Sequence, residues 1–149
     1  MAKKNYILLI LLTIIFSSSR KAAAQTSPNW QVLYLDVAAH TIVDGVEAFS
    51  QVNKCKGEDL VYLKLINHNP YPVKIKWFDA VQTPDLKWIK KDNIIEKKSV
   101  TVEANTEIKG DCSDNNYSEC IIKLKNFIDS QKDFKQYAVY HFQVVPAVK

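Results

Sequence analysis

Period-two alternation of apolar and polar side chains, broken at short intervals, constrains this chain more than any other feature. Such alternation sends successive side chains to opposite faces of a strand and cannot supply the continuous stripe that a helix needs. Residues 60–67 (LVYLKLIN) and 73–78 (VKIKWF) are the clearest cases. In the second, Val73, Ile75 and Trp77 share one face, and Lys74, Lys76 and Phe78 share the other. Pro70 and Pro72 stand between the two runs. Proline fixes its own φ and keeps the residue before it out of the helical region, so a turn is forced there.

The same reading predicts strands over residues 30–37 and 41–52, the latter bent near Gly45. A short edge strand over 86–89 would be protected by Lys90, Lys91 and Asp92, since charge discourages pairing with other chains. Residues 100–109 read as one strand interrupted at Ala104-Asn105. Residues 120–127 send Ile122 and Leu124 inward and Lys123 and Lys125 outward; residues 137–145 send Ala138, Tyr140, Phe142 and Val144 to one side. Residues 126–136 lack a helical stripe and read as a loop or a single helical turn. Seven to eight strands without helices predict an all-β, immunoglobulin-like antiparallel β-sandwich, with a small β-barrel as the alternative. Trp77 is the tryptophan expected to pack beneath the opposite sheet.

The first 24 residues are of another kind. Lys3 and Lys4 precede an apolar run of ten residues, 7–16, and Ala22-Ala23-Ala24 follows a short polar stretch. A positive start, a short apolar segment and an A-x-A site form a secretory signal peptide. Spanning a bilayer takes about 20 apolar residues, so no transmembrane span is expected once the signal is cleaved. Cleavage after Ala24 leaves a short extension, residues 25–29, and a β-sandwich domain, residues 30–149, in a secreted or periplasmic location. It also changes the charge. Four of the 20 basic residues (Lys3, Lys4, Arg20 and Lys21) lie in the leader, leaving 16 against 16 acidic residues. A formally neutral domain gives no reason to expect nucleic acid as a partner.

The pattern Cys55-x5-Val61-x-Leu63-x-Leu65-x-Asn67-x-Asn69, then Val73-x-Ile75-x-Trp77, then Gly110-x-Cys112, resembles small secreted Bacteroidota proteins of unassigned function with an immunoglobulin-like β-sandwich. The resemblance implies a disulfide between Cys55 and Cys112 and carries no catalytic residues. Read from the residues alone, three cysteines allow three single bridges. Cys55–Cys112 would staple two strand ends, and Cys112–Cys120 would pin the polar loop between them. The chain-entropy model gives about 4 and about 2.5 kcal/mol respectively, which does not choose between them, because geometry does. Cys120, left over by the first bridge, is expected as a buried free thiol, with an intermolecular link as the alternative.

No motif names a reaction, a metal or a cofactor, so no catalytic residue is assigned and a non-enzymatic role is expected. His40, His68 and His141 are too scattered for a zinc site. Asp111, Asp114, Asn115, Asn116 and Glu119 cluster in one loop but lack the spacing of a calcium loop, and read as turn chemistry. Two surfaces suggest binding. If the strands bearing Trp77, Cys120 and the C-terminal run share a sheet, then Lys74, Lys76, Lys123, Lys125 and His141 make a basic face suited to an anionic glycan or an acidic envelope protein. A solvated, aggregation-resistant face is the simpler reading. Trp88 and Tyr71 could stack on sugar rings, although Trp88 as a plug at the sandwich end is the simpler reading. The remaining readings are strand addition at the edge formed by residues 30–37 and a hydrolase built from dispersed carboxylates.

Overall fold

The computed structural model describes residues 29–90, 97–113 and 116–147. The leader, its Ala24 site and most of the extension lie outside the described residues, as do Lys91, Asp92, Asp114 and Asn115. Among the described residues, ten strands form two antiparallel sheets that are not closed into a barrel. The first sheet contains β1 (Gln31–Val32), β2 (Ile42–Val43), β3 (Val46–Cys55), β4 (Glu58–Asn67), β8 (Glu107–Lys109) and β9 (Ile121–Lys123). The second contains β5 (Val73–Gln82), β6 (Trp88–Lys90), β7 (Lys98–Val102) and β10 (Gln136–Pro146). β5 lies at the centre of the second sheet, with β10 along one side and β6 and β7 along the other.

The inward faces interlock as the alternation requires. Val61, Leu63 and Leu65 of β4 meet Val73, Ile75 and Trp77 of β5 in one core, and Trp77 is fully buried. The expected sandwich is therefore present, with ten strands in place of seven to eight. Two chain reversals account for the extra ones.

The first is at Asp44-Gly45. Both residues have positive φ, 46° and 73°, which folds the expected bent strand into the β2–β3 hairpin. Asp-Gly is a strong signal for such a two-residue turn, because its backbone twist matches that of the flanking strands. Lys56-Gly57 repeats the device between β3 and β4, with φ of 49° and 85°.

The second reversal is at Ala104-Asn105, where the chain changes sheets instead of continuing one strand. β7 pairs with β5, and β8 pairs with β4. Asn67, fully buried, holds this crossing. Its Nδ2 lies 2.9 Å from the Tyr71 and Glu103 carbonyls and 3.2 Å from that of Val102, while its Oδ1 accepts from the Asn69 backbone at 2.9 Å. The side chain satisfies backbone groups that the crossing takes out of the ladders.

Three further expectations need correction. Residues 30–37 contain only the two-residue β1; beyond it Leu33 and Leu35 plug the core, held by Leu33 N–H to the Ala48 carbonyl and Leu35 N–H to the His40 carbonyl. Residues 120–127 contain only the three-residue β9, followed by a 3-10 turn over Leu124–Asn126, although Ile122 and Leu124 do point inward. In β10 a bulge between Tyr140 and Gln143 shifts the register. Tyr137 and Val139 face the core before it, Ala138 and Tyr140 face outward, and after it Val144 lies opposite inward-facing Ile75. An extra residue in a period-two pattern exchanges the faces.

Cys55 and Cys112 form the disulfide, with Cα atoms 5.6 Å apart, and Cys120 is a buried free thiol. The bridge fastens the tip of the β3–β4 hairpin to the connection between β8 and β9. Gly110 is required close by: a Cβ there would overlap the Cys120 carbonyl oxygen.

Candidate functional site

The inward parity of β5 continues past Trp77 and buries a charge, Asp79. Its Oδ1 accepts hydrogen bonds from Trp77 Nε1–H at 3.0 Å and from the Tyr137 hydroxyl at 2.6 Å. Its Oδ2 pairs with Lys98 Nζ at 3.0 Å, and Lys98 also donates to the Glu119 carbonyl at 2.8 Å. Three strands of the second sheet are thereby tied to the segment that enters β9 in the first. Every charge in this cluster is paired, which a buried ion pair requires. The Tyr137 hydroxyl is pushed well above its ordinary pKa, by burial first and then by the Asp79 carboxylate. Burial also drives the Cys120 thiol up to about 12, against the opposing pull of Lys98. A thiol in that state is protonated at neutral pH and is not a nucleophile. The cavity beside the cluster, about 590 Å3, is bordered by Asp79, Lys98 and Glu119, groups already committed to one another or to neighbours. The arrangement is an inter-sheet clamp.

The outer face of the second sheet is chemically different. In register across β5, Lys74, Lys76, Phe78, Ala80 and Gln82 point outward beside Val145, Gln143, Tyr140, Ala138 and Gln136 of β10. Lys90 and Trp88 of β6 lie opposite Ala80 and Gln82 on the other side. None of these positions is an aspartate or glutamate. Phe78 stacks on Tyr140 with centroids 5.4 Å apart, and His141, displaced by the bulge, sets its edge against Phe78 at 6.0 Å. Lys97 Nζ sits 5.6 Å from the Phe78 ring and donates to Gln143 Oε1 at 3.0 Å, and Lys90 Nζ sits 5.3 Å from the Tyr140 ring. Among the described residues, Lys74, Lys76, Lys90 and Lys97 form no ion pair with a carboxylate.

The basic face expected from the sequence is thus divided. Lys74, Lys76 and His141 do share the second sheet, but Lys123 and Lys125 lie with the first, because β9 pairs with β4 and not with β5. Both of those lysines are paired to Glu58, Lys123 at 3.2 Å. Their hydrogen bonds, that of Lys125 first, hold the Glu58 carboxyl below its ordinary pKa. Lys90 and Lys97 take their place on the second sheet. Sequence reasoning could have reached Lys90 by carrying the β6 alternation one residue further.

A cleft of about 360 Å3 opens where this face meets the residues around β1. Trp88, Lys90, Tyr140 and Tyr34 line it, above Ala80 and Ala138, and Asp36, held by His40, borders it on the β1 side. Trp88 is 38% exposed, so it does not plug the sandwich end. Tyr71, the other sugar-stacking candidate, is exposed at a separate hollow beside Val144 and Pro146. His40 and His68 are held on the surface by Asp36 at 2.6 Å and Glu47 at 2.9 Å. In the acidic loop, Asp111 accepts from the Ser113 backbone at 2.7 Å, which is turn chemistry. No group of three metal-binding side chains occurs among the described residues.

No protein-family model and no curated protein matches the chain. Among solved structures, the chain is similar to a DUF1425 family member from Shewanella sp. pv-4, at 10% identity over 70% of this chain and 80% of that one, with a TM-score of 0.42.

Proposed function

We propose that this chain is an exported, non-enzymatic binding module that holds an anionic partner on the outer face of its second sheet. The observation that carries the reading is a set of four lysines, Lys74, Lys76, Lys90 and Lys97, gathered on one side of a formally neutral domain without a carboxylate in register. A sheet face that served only solubility would intersperse both signs. Unpaired cations raise the local concentration of anions and steer their approach. The leader and the disulfide support export, since disulfides persist in oxidising compartments. The buried, protonated Cys120 and the fully paired Asp79 cluster leave no activated acid, base or nucleophile there, in keeping with binding rather than catalysis.

Retention of residues 25–149 on immobilised acidic polysaccharide at low salt tests this reading. Retention that falls steeply as salt shortens the Debye length is expected. Flow-through at every salt concentration, on polyuronate and on polyglutamate supports alike, would overturn it.

A further inference from the structure

We infer that the cleft beside Trp88 and Lys90 is a subsite for one acidic sugar, a uronic acid unit within an oligosaccharide. This rests on the anion-binding reading above and gives that reading a position and a ligand class. The outer-face register builds the cleft. Ala80 and Ala138 lie opposite each other, and Lys90 flanks Ala80 on its other side. The row on one side of them contains Trp88, and the row on the other contains Tyr140 stacked on Phe78. Two methyl groups between the Gln136–Gln82–Trp88 row and the Tyr140–Phe78 row leave a trough with an aromatic ring on each side and an ammonium group at one end. Tyr34, 63% exposed, borders the trough from the β1 side together with Asp36, whose carboxylate is already engaged by the His40 ring and by the Ala38 and His40 N–H groups. The cleft volume of about 360 Å3 is enough for a pyranose ring and its substituents.

Each part matches one part of a uronic acid. The C–H face of the ring stacks on an aromatic face, the carboxylate meets Lys90, and the amide of Gln136 on the rim suits hydroxyl groups. A neutral sugar would leave the lysine unmatched, and a plain polyanion would leave the aromatic walls unused. An added peptide strand fits less well. β10 is the free edge here, and it is blunted by the bulge after Tyr140 and by Pro146, which has no N–H to offer a partner strand.

Titration calorimetry on residues 25–149 tests the assignment, using oligogalacturonates, oligomannuronates and hyaluronan oligosaccharides, with polyglutamate and methyl-esterified oligogalacturonate as controls. At least one uronate series is expected to bind. Trp88→Ala and Lys90→Gln should each weaken that binding about tenfold or more without changing the melting temperature. Esterification should weaken it similarly, and any polyglutamate binding should ignore Trp88→Ala. Uronate binding that is indifferent to both substitutions overturns the subsite. So does polyglutamate binding with no uronate binding, an outcome that leaves the wider anion-binding reading standing. Binding of an uncharged extended peptide in the same cleft, with no uronate binding, also overturns it. If neither polyglutamate nor any uronate binds, both readings fall.

Discussion

The two sheets carry lysines on their outer sides and use them in opposite ways. On the first, Glu58 holds Lys123 and Lys125, Glu47 holds His68, and Lys64 lies over Trp30 and Phe49 at 5.2 and 4.5 Å. Lys64, over its rings, and its register neighbour Lys109 form no ion pair among the described residues, so the opposition lies between Lys123 and Lys125, held by Glu58, and the lysines of the second sheet. Beneath these charges Trp30, Leu60, Tyr62 and Ile121 pack around Cys55, so the first sheet seals its own outer surface. On the outer face of the second sheet the lysines lie against aromatic rings or in solvent and, among the described residues, meet no carboxylate. A cation over a ring keeps its charge available to a third group, whereas a cation in an ion pair does not. Lysine count alone therefore says little about a binding face. What matters is whether the opposite charge is supplied by the protein or left to a partner.

The most severe way to break this contrast is from the inside. Among the described residues, Lys98 is the lysine of the second sheet that points inward, and Asp79→Ala would leave it buried without its partner. The expected loss is about 3–5 kcal/mol in urea denaturation, and the apolar double substitution Asp79→Leu with Lys98→Met should recover only part of it, because the buried Trp77 Nε1–H and Tyr137 hydroxyl lose their acceptor. Lys76→Gln on the outer face should stay within about 0.5 kcal/mol of the parent. Removing the bridge by Cys55→Ser with Cys112→Ser should cost up to about 4 kcal/mol, from the loop of 57 residues that it closes.

A smaller effect comes at alkaline pH. The folded state holds the Cys120 thiol protonated beyond its unfolded range, so that stabilisation is complete below 9.0 and disappears as pH rises toward about 12. Thermal melts across that window should decline less steeply in Cys120→Ala. The mildest substitution is Glu58→Gln, which releases Lys123 and Lys125 on the first sheet. It should leave the melting temperature nearly unchanged while adding polyanion retention to a face that otherwise has little. Retention identical to the parent would show that pairing does not separate the two sheets.

How much of this was legible in the sequence follows from which interactions are local. The alternation through Val73, Ile75 and Trp77 reports burial directly, and it identified both the sandwich and its central tryptophan. The same alternation two residues further assigns Asp79 to the core. A lone carboxylate reads there as the end of a strand, because its partners Lys98 and Tyr137 come from elsewhere in the chain. The change of sheet at Ala104-Asn105 is equally hidden: apolar alternation flanks it on both sides, and the residue that imposes it, Asn67, lies 36 positions before its Glu103 partner. The Asp44-Gly45 reversal was readable, since the turn signal is local. The basic face was read with the right kind of residue on the wrong neighbours, because strand order is a property of the whole topology and not of any one segment.

The most direct measurement is amide chemical-shift mapping of residues 25–149 titrated with an oligouronate at low salt. The account expects perturbations over Lys74, Lys76, Trp88, Lys90, Lys97 and Tyr140, with Lys123 and Lys125 silent. Shifts centred on β4 and β9, or spread evenly over both sheets, would contradict it.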